Sequence, residues 1–144
     1  MTRYLLDTAI ISDATRVEPS AGLVRWLGRQ ADTDLFISAL TVAEIRRGIL
    51  EKAAGRKRRE LEAWFAGREG PQALFRGRVL AFDERAALEW ARLMAEGRGA
   101  GRPRSALDMV IASTAVANGC TVVSFNDRHF RDVVEFINPA RAAP

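Results

Sequence analysis

Residues 3–12, RYLLDTAIIS, decide the fold of this chain, because an apolar run ends there in an acid and a hydroxyl before a second apolar run begins. A strand that is almost wholly apolar is typical of the buried centre of a parallel sheet. Ligands of open α/β sheets bind outside the carboxyl ends of such strands, where Asp7 would lie. Asp7 could instead cap a helix that begins near Thr8, since Asp is a favoured N-cap. This stretch alone leaves both roles open.

Strand-like and helix-like segments alternate along the rest of the chain. Further strands are predicted at 35–37, 79–82, 121–124 and 133–137, and further helices at 8–13, 21–30, 41–50, 54–70, after Asp83, and from Ser105 to about Asn118. This alternation predicts an α/β protein with a mostly parallel sheet of about five strands, covered by helices on both faces. In the helix after Asp83 the residues expected in the core are Leu88, Trp90, Ala91 and Met94.

The size and charge of the chain suit one nucleic-acid-binding domain. Its 144 residues are enough for one core, predicted at 1–139, with a C-terminal tail at 140–144. The net charge of +4 favours a polyanionic partner, although genomic base composition would explain the predominance of arginine equally well. There is no apolar run of about 18 residues, no signal-like N-terminus, and a single cysteine, Cys120. We therefore expect a cytoplasmic protein without a membrane anchor.

Three acids stand directly after strands or in the first turns of helices: Asp7, Glu44 and Asp108. In a parallel sheet these positions lie at one edge, where carboxylates repel one another unless a cation separates them. Oxygen ligands without a His or Cys cluster indicate Mg²⁺ or Mn²⁺. Glu44 and Asp108 also fit simple capping roles, three residues after Thr41 and Ser105. Spacing alone leaves a metal site and helix caps as alternatives.

Five segments together resemble a known family: LLDTAIIS at 5–12, SALTVAEIRRG at 38–48, DMVIASTA at 108–115, VVSFN at 122–126 and INP at 137–139. In order and spacing they are similar to the successive motifs of PIN-domain endoribonucleases, and most of all to the VapC and FitB toxins of bacterial toxin–antitoxin pairs. The resemblance covers nearly the whole chain. It implies a PIN-like α/β/α sandwich and hydrolysis of RNA with Mg²⁺ or Mn²⁺.

Matched position by position, the resemblance implies metal binding and catalysis by Asp7, Glu44 and Asp108. The fourth acidic position of the family is here an amide, Asn126, and the neighbouring Asp127 is the alternative. Thr8 and Ser124 would orient the ligands or water. The candidates for RNA phosphate contacts lie in the basic loop GRGAGRPR at 97–104 and in the basic cluster at 56–59, and are Arg102, Arg104, Arg56 and Arg59.

The resemblance also implies partners. A free ribonuclease would be toxic to its own cell, so a VapB- or FitA-like antitoxin is expected beside the RNA substrate, together with a homodimer that assembles further with the antitoxin. The antitoxin is predicted to pack on apolar faces near Trp26, Trp64 and Phe65.

Three other functional classes fit the sequence less well. A non-catalytic binding module that kept the fold is suggested by Asn126. A phosphoacceptor domain is disfavoured, because the only lysines, Lys52 and Lys57, lie in a charged helical segment. The single histidine, His129, is expected in a loop, which excludes a zinc site with several His or Cys ligands and disfavours a Ser-His-Asp hydrolase.

Overall fold

A computed structural model describes residues 2–141 as a five-stranded sheet with helices on both faces. The strands run in the order β3-β2-β1-β4-β5, and every neighbouring pair is parallel. The predicted α/β class is therefore confirmed, and the sheet is parallel throughout. The strands are β1 (Arg3–Leu6), β2 (Leu35–Ser38), β3 (Val79–Leu80), β4 (Cys120–Val123) and β5 (Phe136–Ile137).

The helices fill the connections between the strands, as parallel pairing requires. They are α1 (Thr8–Ala14), α2 (Ala21–Gly28), α3 (Ala39–Leu50), α4 (Arg56–Ala66), α5 (Pro71–Leu74), α6 (Glu84–Gly99), α7 (Ala106–Ala117) and α8 (Asp127–Phe130), with 3₁₀ turns at Asp32–Asp34 and Pro139–Arg141. No helix within residues 2–141 is long and apolar enough to cross a membrane.

The central strands bury both of their faces, which explains why their sequences are apolar without alternation. In β1, Leu5 packs with Leu93, Met109 and Phe130 from α6, α7 and α8. The next residue, Leu6, points to the opposite face and packs with residues of α1 and α2: Ile10, Ile11, Leu23 and Trp26. The chain therefore has one apolar core on each side of the sheet.

The direction of winding changes at β1. The chain moves from β1 to β2 on one side and later returns to place β4 on the other side. Open α/β sheets bind ligands outside the carboxyl ends of the strands at such a point. Asp7, the first residue after β1, lies there, and its backbone N–H donates to the carbonyl of Val123 at 2.9 Å.

Both edge strands are shorter than predicted. The sequence predicted strands at 79–82 and 133–137, whereas β3 and β5 contain two residues each. β3 is shortened at its C-terminal end, because its only neighbour, β2, ends at Ser38. β5 is shortened at its N-terminal end, where the N–H groups of Val133 and Val134 bond to the Phe130 carbonyl in the preceding turn. Beyond the end of β3, Phe82 is exposed.

Several helix predictions also need correction. Thr41 is not the cap of α3, which begins two residues earlier, with the Ser38 hydroxyl accepting from the Thr41 N–H at 3.1 Å. The predicted helical segment at 54–70 contains one helix, α4, which ends at Ala66, and α5 begins only at Pro71. The basic loop is shorter than 97–104, because α6 continues to Gly99. The predicted core face of α6 was partly wrong. Trp90 and Met94 pack against the core, but Leu88 and Ala91 are exposed, while Leu93 is fully buried.

The predicted C-terminal tail is only partly described. Pro139–Arg141 form a 3₁₀ turn that lies against α2, where the Gly22 position is close to the Pro139 carbonyl and Ala140. The first part of the predicted tail therefore has a defined conformation. Residues 142–144 lie outside the described residues.

Candidate active site

Asp7 is at once a helix cap and the centre of an acidic cluster. It occupies the N-cap position of α1, and its Oδ1 accepts from the Thr8 N–H at 2.8 Å. Its Oδ2 accepts from the Ser124 hydroxyl, at the end of β4, at 2.7 Å. The two roles that the sequence left as alternatives are therefore geometrically compatible. The cap is Asp7 itself, whereas Thr8 is the first residue of the helix.

The environment of Asp7 opposes its negative charge. The side chain is only 8% exposed, and burial is the largest cause that raises the pKa of the carboxyl above its ordinary value. The hydrogen bonds from Ser124 and Thr8 lower the pKa in part, whereas the charges of Asp108 and Glu44 raise it further. No basic side chain is among the groups that shift this pKa. Asp7 thus interacts with two other acids and, within residues 2–141, with no lysine or arginine.

A directed chain of hydroxyls holds Glu44. The Thr8 hydroxyl donates to Glu44 Oε1 at 2.6 Å and lies 3.0 Å from the Thr41 hydroxyl. The Ser38 hydroxyl donates to Thr41 at 3.3 Å. Because each hydroxyl has one proton, the donors must run from Ser38 through Thr41 and Thr8 to the carboxylate. Glu44 is therefore turned toward Thr8 and not back to its own helix cap.

Asp108, in the first turn of α7, is bound by a residue that sequence reasoning missed. His129 Nδ1 forms a short hydrogen bond with Asp108 Oδ2, and the Asn126 side-chain amide lies 3.0 Å from the same ring nitrogen. His129 belongs to the short helix α8 and not to a loop. The three-residue spacing from Asn126 to His129 could have indicated this, since such a spacing places two side chains on one helix face.

Asn126 and Asp127 face different surroundings. The Asn126 N–H donates to the Ser124 hydroxyl at 3.0 Å, so its backbone is joined to the Asp7 end of the cluster. Asp127 Oδ1 accepts from Asn138 at 2.8 Å, and its Oδ2 pairs with Arg131 and Arg141. The geometry thus brings Asn126 to the acidic cluster, while the Asp127 carboxylate is engaged by two arginines and an amide.

The candidate phosphate-binding arginines lie in two separate places. Arg102 is exposed in the connection between α6 and α7. Arg104 is only 19% exposed, and its guanidinium donates to the Leu93 carbonyl at 2.7 Å and lies 3.5 Å from Glu96. Arg56 and Arg59 are exposed on α4, where Arg56 pairs with Glu60. Arg104 therefore anchors the loop to α6 and is less available to a ligand.

The donor set of the cluster suits a hard divalent cation, because it consists of carboxylates with hydroxyl and amide oxygens. A cation would also relieve the repulsion that acts on the buried Asp7. As the side chains stand, no three acidic, histidine or cysteine side chains within residues 2–141 converge closely enough to enclose a metal ion.

Comparison with known proteins gives consistent matches. The model of the PIN domain matches residues 4–135. The chain is 36% identical to Toxin FitB of Neisseria gonorrhoeae and 35% identical to VapC ribonuclease Y4jK of Sinorhizobium fredii, each over 94% of this chain and 96% of the relative. The crystal structure of FitAcB from Neisseria gonorrhoeae superimposes with a TM-score of 0.89 at 33% identity, covering 96% of this chain and 99% of that one.

Proposed function

This chain belongs to the PIN-domain family, and on that basis we propose that it is a metal-dependent endoribonuclease that acts as the toxin of a toxin–antitoxin pair. The observation that carries the proposal is the buried Asp7 carboxylate, whose pKa is raised by burial and by two neighbouring acids while no basic side chain offsets them. A buried carboxylate whose pKa is raised by neighbouring acids is typical of a functional site. Its place at the change in winding direction is where a substrate can reach it.

Asp7 and Asp108 would hold Mg²⁺ or Mn²⁺, with Glu44 and Asn126 completing the set of oxygen ligands. When bound, such an ion supplies positive charge for the phosphoryl oxygens and a water of lowered pKa. Two hydroxyl groups of the chain orient the carboxylate ligands. Ser124 orients Asp7 through its 2.7 Å hydrogen bond, and Thr8 orients Glu44 through its 2.6 Å hydrogen bond.

The overall reaction would be hydrolysis of an RNA phosphodiester, in which water oxygen bonds to phosphorus and one ribose oxygen leaves. Glu44 can orient that water, because it is partly exposed whereas Asp7 is buried. The bond to Thr8 occupies its Oε1. The second carboxylate oxygen has no hydrogen-bond partner within residues 2–141, and it can therefore accept from water.

Ser124→Ala should lower nuclease activity and metal affinity by about 10- to 100-fold, as is typical when a residue that orients a metal ligand is removed. Losing the Ser124 hydrogen bond should also raise the pKa of Asp7 further, so the acidic limb of the pH–activity profile should move to higher pH. Ser113→Ala is the matched control, because Ser113 is equally buried but donates only to the Val110 carbonyl. A pH profile unchanged by Ser124→Ala would contradict the role of this hydroxyl.

The antitoxin is proposed to occupy an apolar groove of about 260 Å³ on the face of the sheet opposite to α6 and α7. Residues of α1, α4 and α5 line it, among them Ile10, Ile11, Trp64 and Leu74. Of the aromatic residues predicted for antitoxin contact, Trp64 lines this groove. Trp26 does not, because it is buried edge-on against Tyr4, and Phe65 lies beneath the guanidinium of Arg46.

Leu74→Glu should weaken binding of the antitoxin at least tenfold, because a carboxylate forced into an apolar groove costs more than the roughly 1.4 kcal/mol that a factor of ten represents. Leu74 is 53% exposed, so the unbound fold should tolerate the change. Leu50→Glu is the matched control, since Leu50 is 48% exposed at the end of α3 and does not line the groove. Titration of each variant with the small protein encoded beside it measures the effect; equal losses would rule out this groove.

A further inference from the structure

A second feature adjoins the acidic cluster: an open cleft of about 930 Å³ between the α6–α7 connection and the segment that follows β4. One wall contains Arg102, Arg104 and Ser105. The other wall contains α8 and the residues after it, with Arg128, His129, Arg131, Asp132 and Val133. Four arginines and one acid line the cleft, so the lining has a net positive charge.

Two of these arginines are available to a ligand. Arg102 and Arg128 are exposed, and in the described part of the chain neither forms an ion pair or a side-chain hydrogen bond. By contrast, Arg104 is bound to α6, and Arg131 pairs with Asp127. The available charges come one from each wall, which is the arrangement that holds an extended polyanion lying between them.

The cleft leads directly to the candidate catalytic acids. His129 lines the cleft and bonds to Asp108, so a strand lying in the cleft passes Asp108 at its inner end. The basic cluster on α4 has no such connection, because neither Arg56 nor Arg59 lines this cleft. Of the two basic segments, only the α6–α7 connection can therefore place a phosphate next to the acidic cluster of Asp7, Glu44 and Asp108.

We propose that this cleft binds the backbone of single-stranded RNA beside the phosphate to be cleaved, with Arg102 and Arg128 as its two principal phosphate contacts. This inference rests on the proposed ribonuclease function and extends it to a second part of the site. The contacts are to phosphate, so they position the strand without reading its sequence. A positively charged groove that follows the backbone is a common way for a protein to bind single-stranded nucleic acid.

The test is binding of a short fluorescent single-stranded RNA to the full chain in EDTA, where metal-dependent cleavage does not interfere. The double variant Arg102→Ala, Arg128→Ala should bind at least about tenfold more weakly at 0.1 M salt, and the slope of log affinity against log salt should fall by about 1.4 for two lost phosphate contacts. The control is Arg56→Ala, Arg59→Ala, which removes the same charge from α4 and should change affinity less than about threefold.

Loss confined to the cleft variant, with a reduced salt slope, supports the proposal. Equal losses in both double variants, or a larger loss in the α4 variant, overturn it, and so does an absence of RNA binding by the unmodified chain. Cleavage with Mg²⁺ or Mn²⁺ is measured separately. Binding through the cleft without any metal-dependent cleavage would reject the nuclease function and leave the cleft as an RNA-binding site.

Discussion

Asp7→Asn should reduce RNA cleavage at least about 100-fold, because loss of a metal ligand should cost at least as much as loss of a residue that orients one. The same change should make the metal-free protein more stable. The loss of activity follows from replacing a charged oxygen ligand by an amide. The gain in stability follows because the carboxylate is buried near Asp108 and Glu44 without a basic partner. Asparagine has the same shape but one acceptor oxygen, so it keeps one of the two hydrogen bonds that Asp7 accepts from Thr8 and Ser124.

The stability gain should depend on pH. Burial raises the pKa of Asp7 in the folded protein above the ordinary value of 3.8. Below pH 3.8 the carboxyl is protonated in both the folded and the unfolded chain, so its ionisation makes no difference there between the free energies of unfolding of the unmodified protein and of the Asp7→Asn variant. As pH rises through the folded pKa, the ionised carboxylate lowers the free energy of unfolding of the unmodified protein only. The difference should therefore be largest at neutral pH.

Urea unfolding with and without Mg²⁺ measures this effect. Mg²⁺ should raise the free energy of unfolding of the unmodified protein and should have little effect on Asp7→Asn, because only the native site binds the ion. Asp13→Asn is a contrasting control, since hydrogen bonding to Ser20 lowers the pKa of that carboxyl and its loss should destabilise the protein. Cleavage that persists in Asp7→Asn would reject the mechanism, and no cleavage by either protein would favour the non-catalytic binding module.

Gly70→Ala should destabilise the protein by about 3 kcal/mol, the upper end of the cost of overpacking. Gly70 joins α4 to α5, and a Cβ there would press on the carbonyl oxygen of Phe65 and lie 2.6 Å from that of Trp64. Both obstacles are backbone atoms, so relief requires α4 to move relative to α5. Because both helices line the proposed antitoxin groove, antitoxin affinity should fall as well.

Gly48→Ala is the matched control for this prediction. Gly48 lies within α3, and a Cβ there would meet nothing within 4 Å. Alanine restricts the unfolded chain at no steric cost, so this variant should be more stable by about 0.5–1 kcal/mol. Thermal and urea unfolding of the two variants should therefore shift in opposite directions. A Gly70→Ala protein as stable as the unmodified chain would mean that the α4–α5 junction adapts.

Sequence patterns were reliable wherever a residue acts through its own segment. The apolar run before Asp7 correctly indicated a central strand, and Ser105 and Asp83 cap their helices as predicted. Patterns were weaker where a neighbouring element decides the outcome. The buried face of α6 is determined by α7, against which it packs, so Leu88 was wrongly assigned to the core. The edge strand β3 likewise ends where its partner β2 ends.

In the candidate site, too, the sequence indicated the positions of the acids, whereas their contacts depend on neighbouring elements. The positions of Asp7, Glu44 and Asp108 at strand ends and helix starts are local properties, and the sequence alone placed them at one edge of a parallel sheet. Their metal-binding role stays a proposal. Only the tertiary structure decided what surrounds each acid. His129 contacts Asp108, and the Asp127 carboxylate is engaged by Arg131 and Arg141.

What the sequence by itself determined is therefore the layered α/β fold and the edge at which its acids lie, because hydrophobic periodicity and helix caps act within a few residues. What only the tertiary structure decided is which side chains meet across that edge. Ser124 and Asp7 are bonded over a separation of 117 residues, and Thr8 and Glu44 over 36. Such contacts depend on how strands and helices pack, since the direction of a side chain in space is decided only when its neighbours are in place.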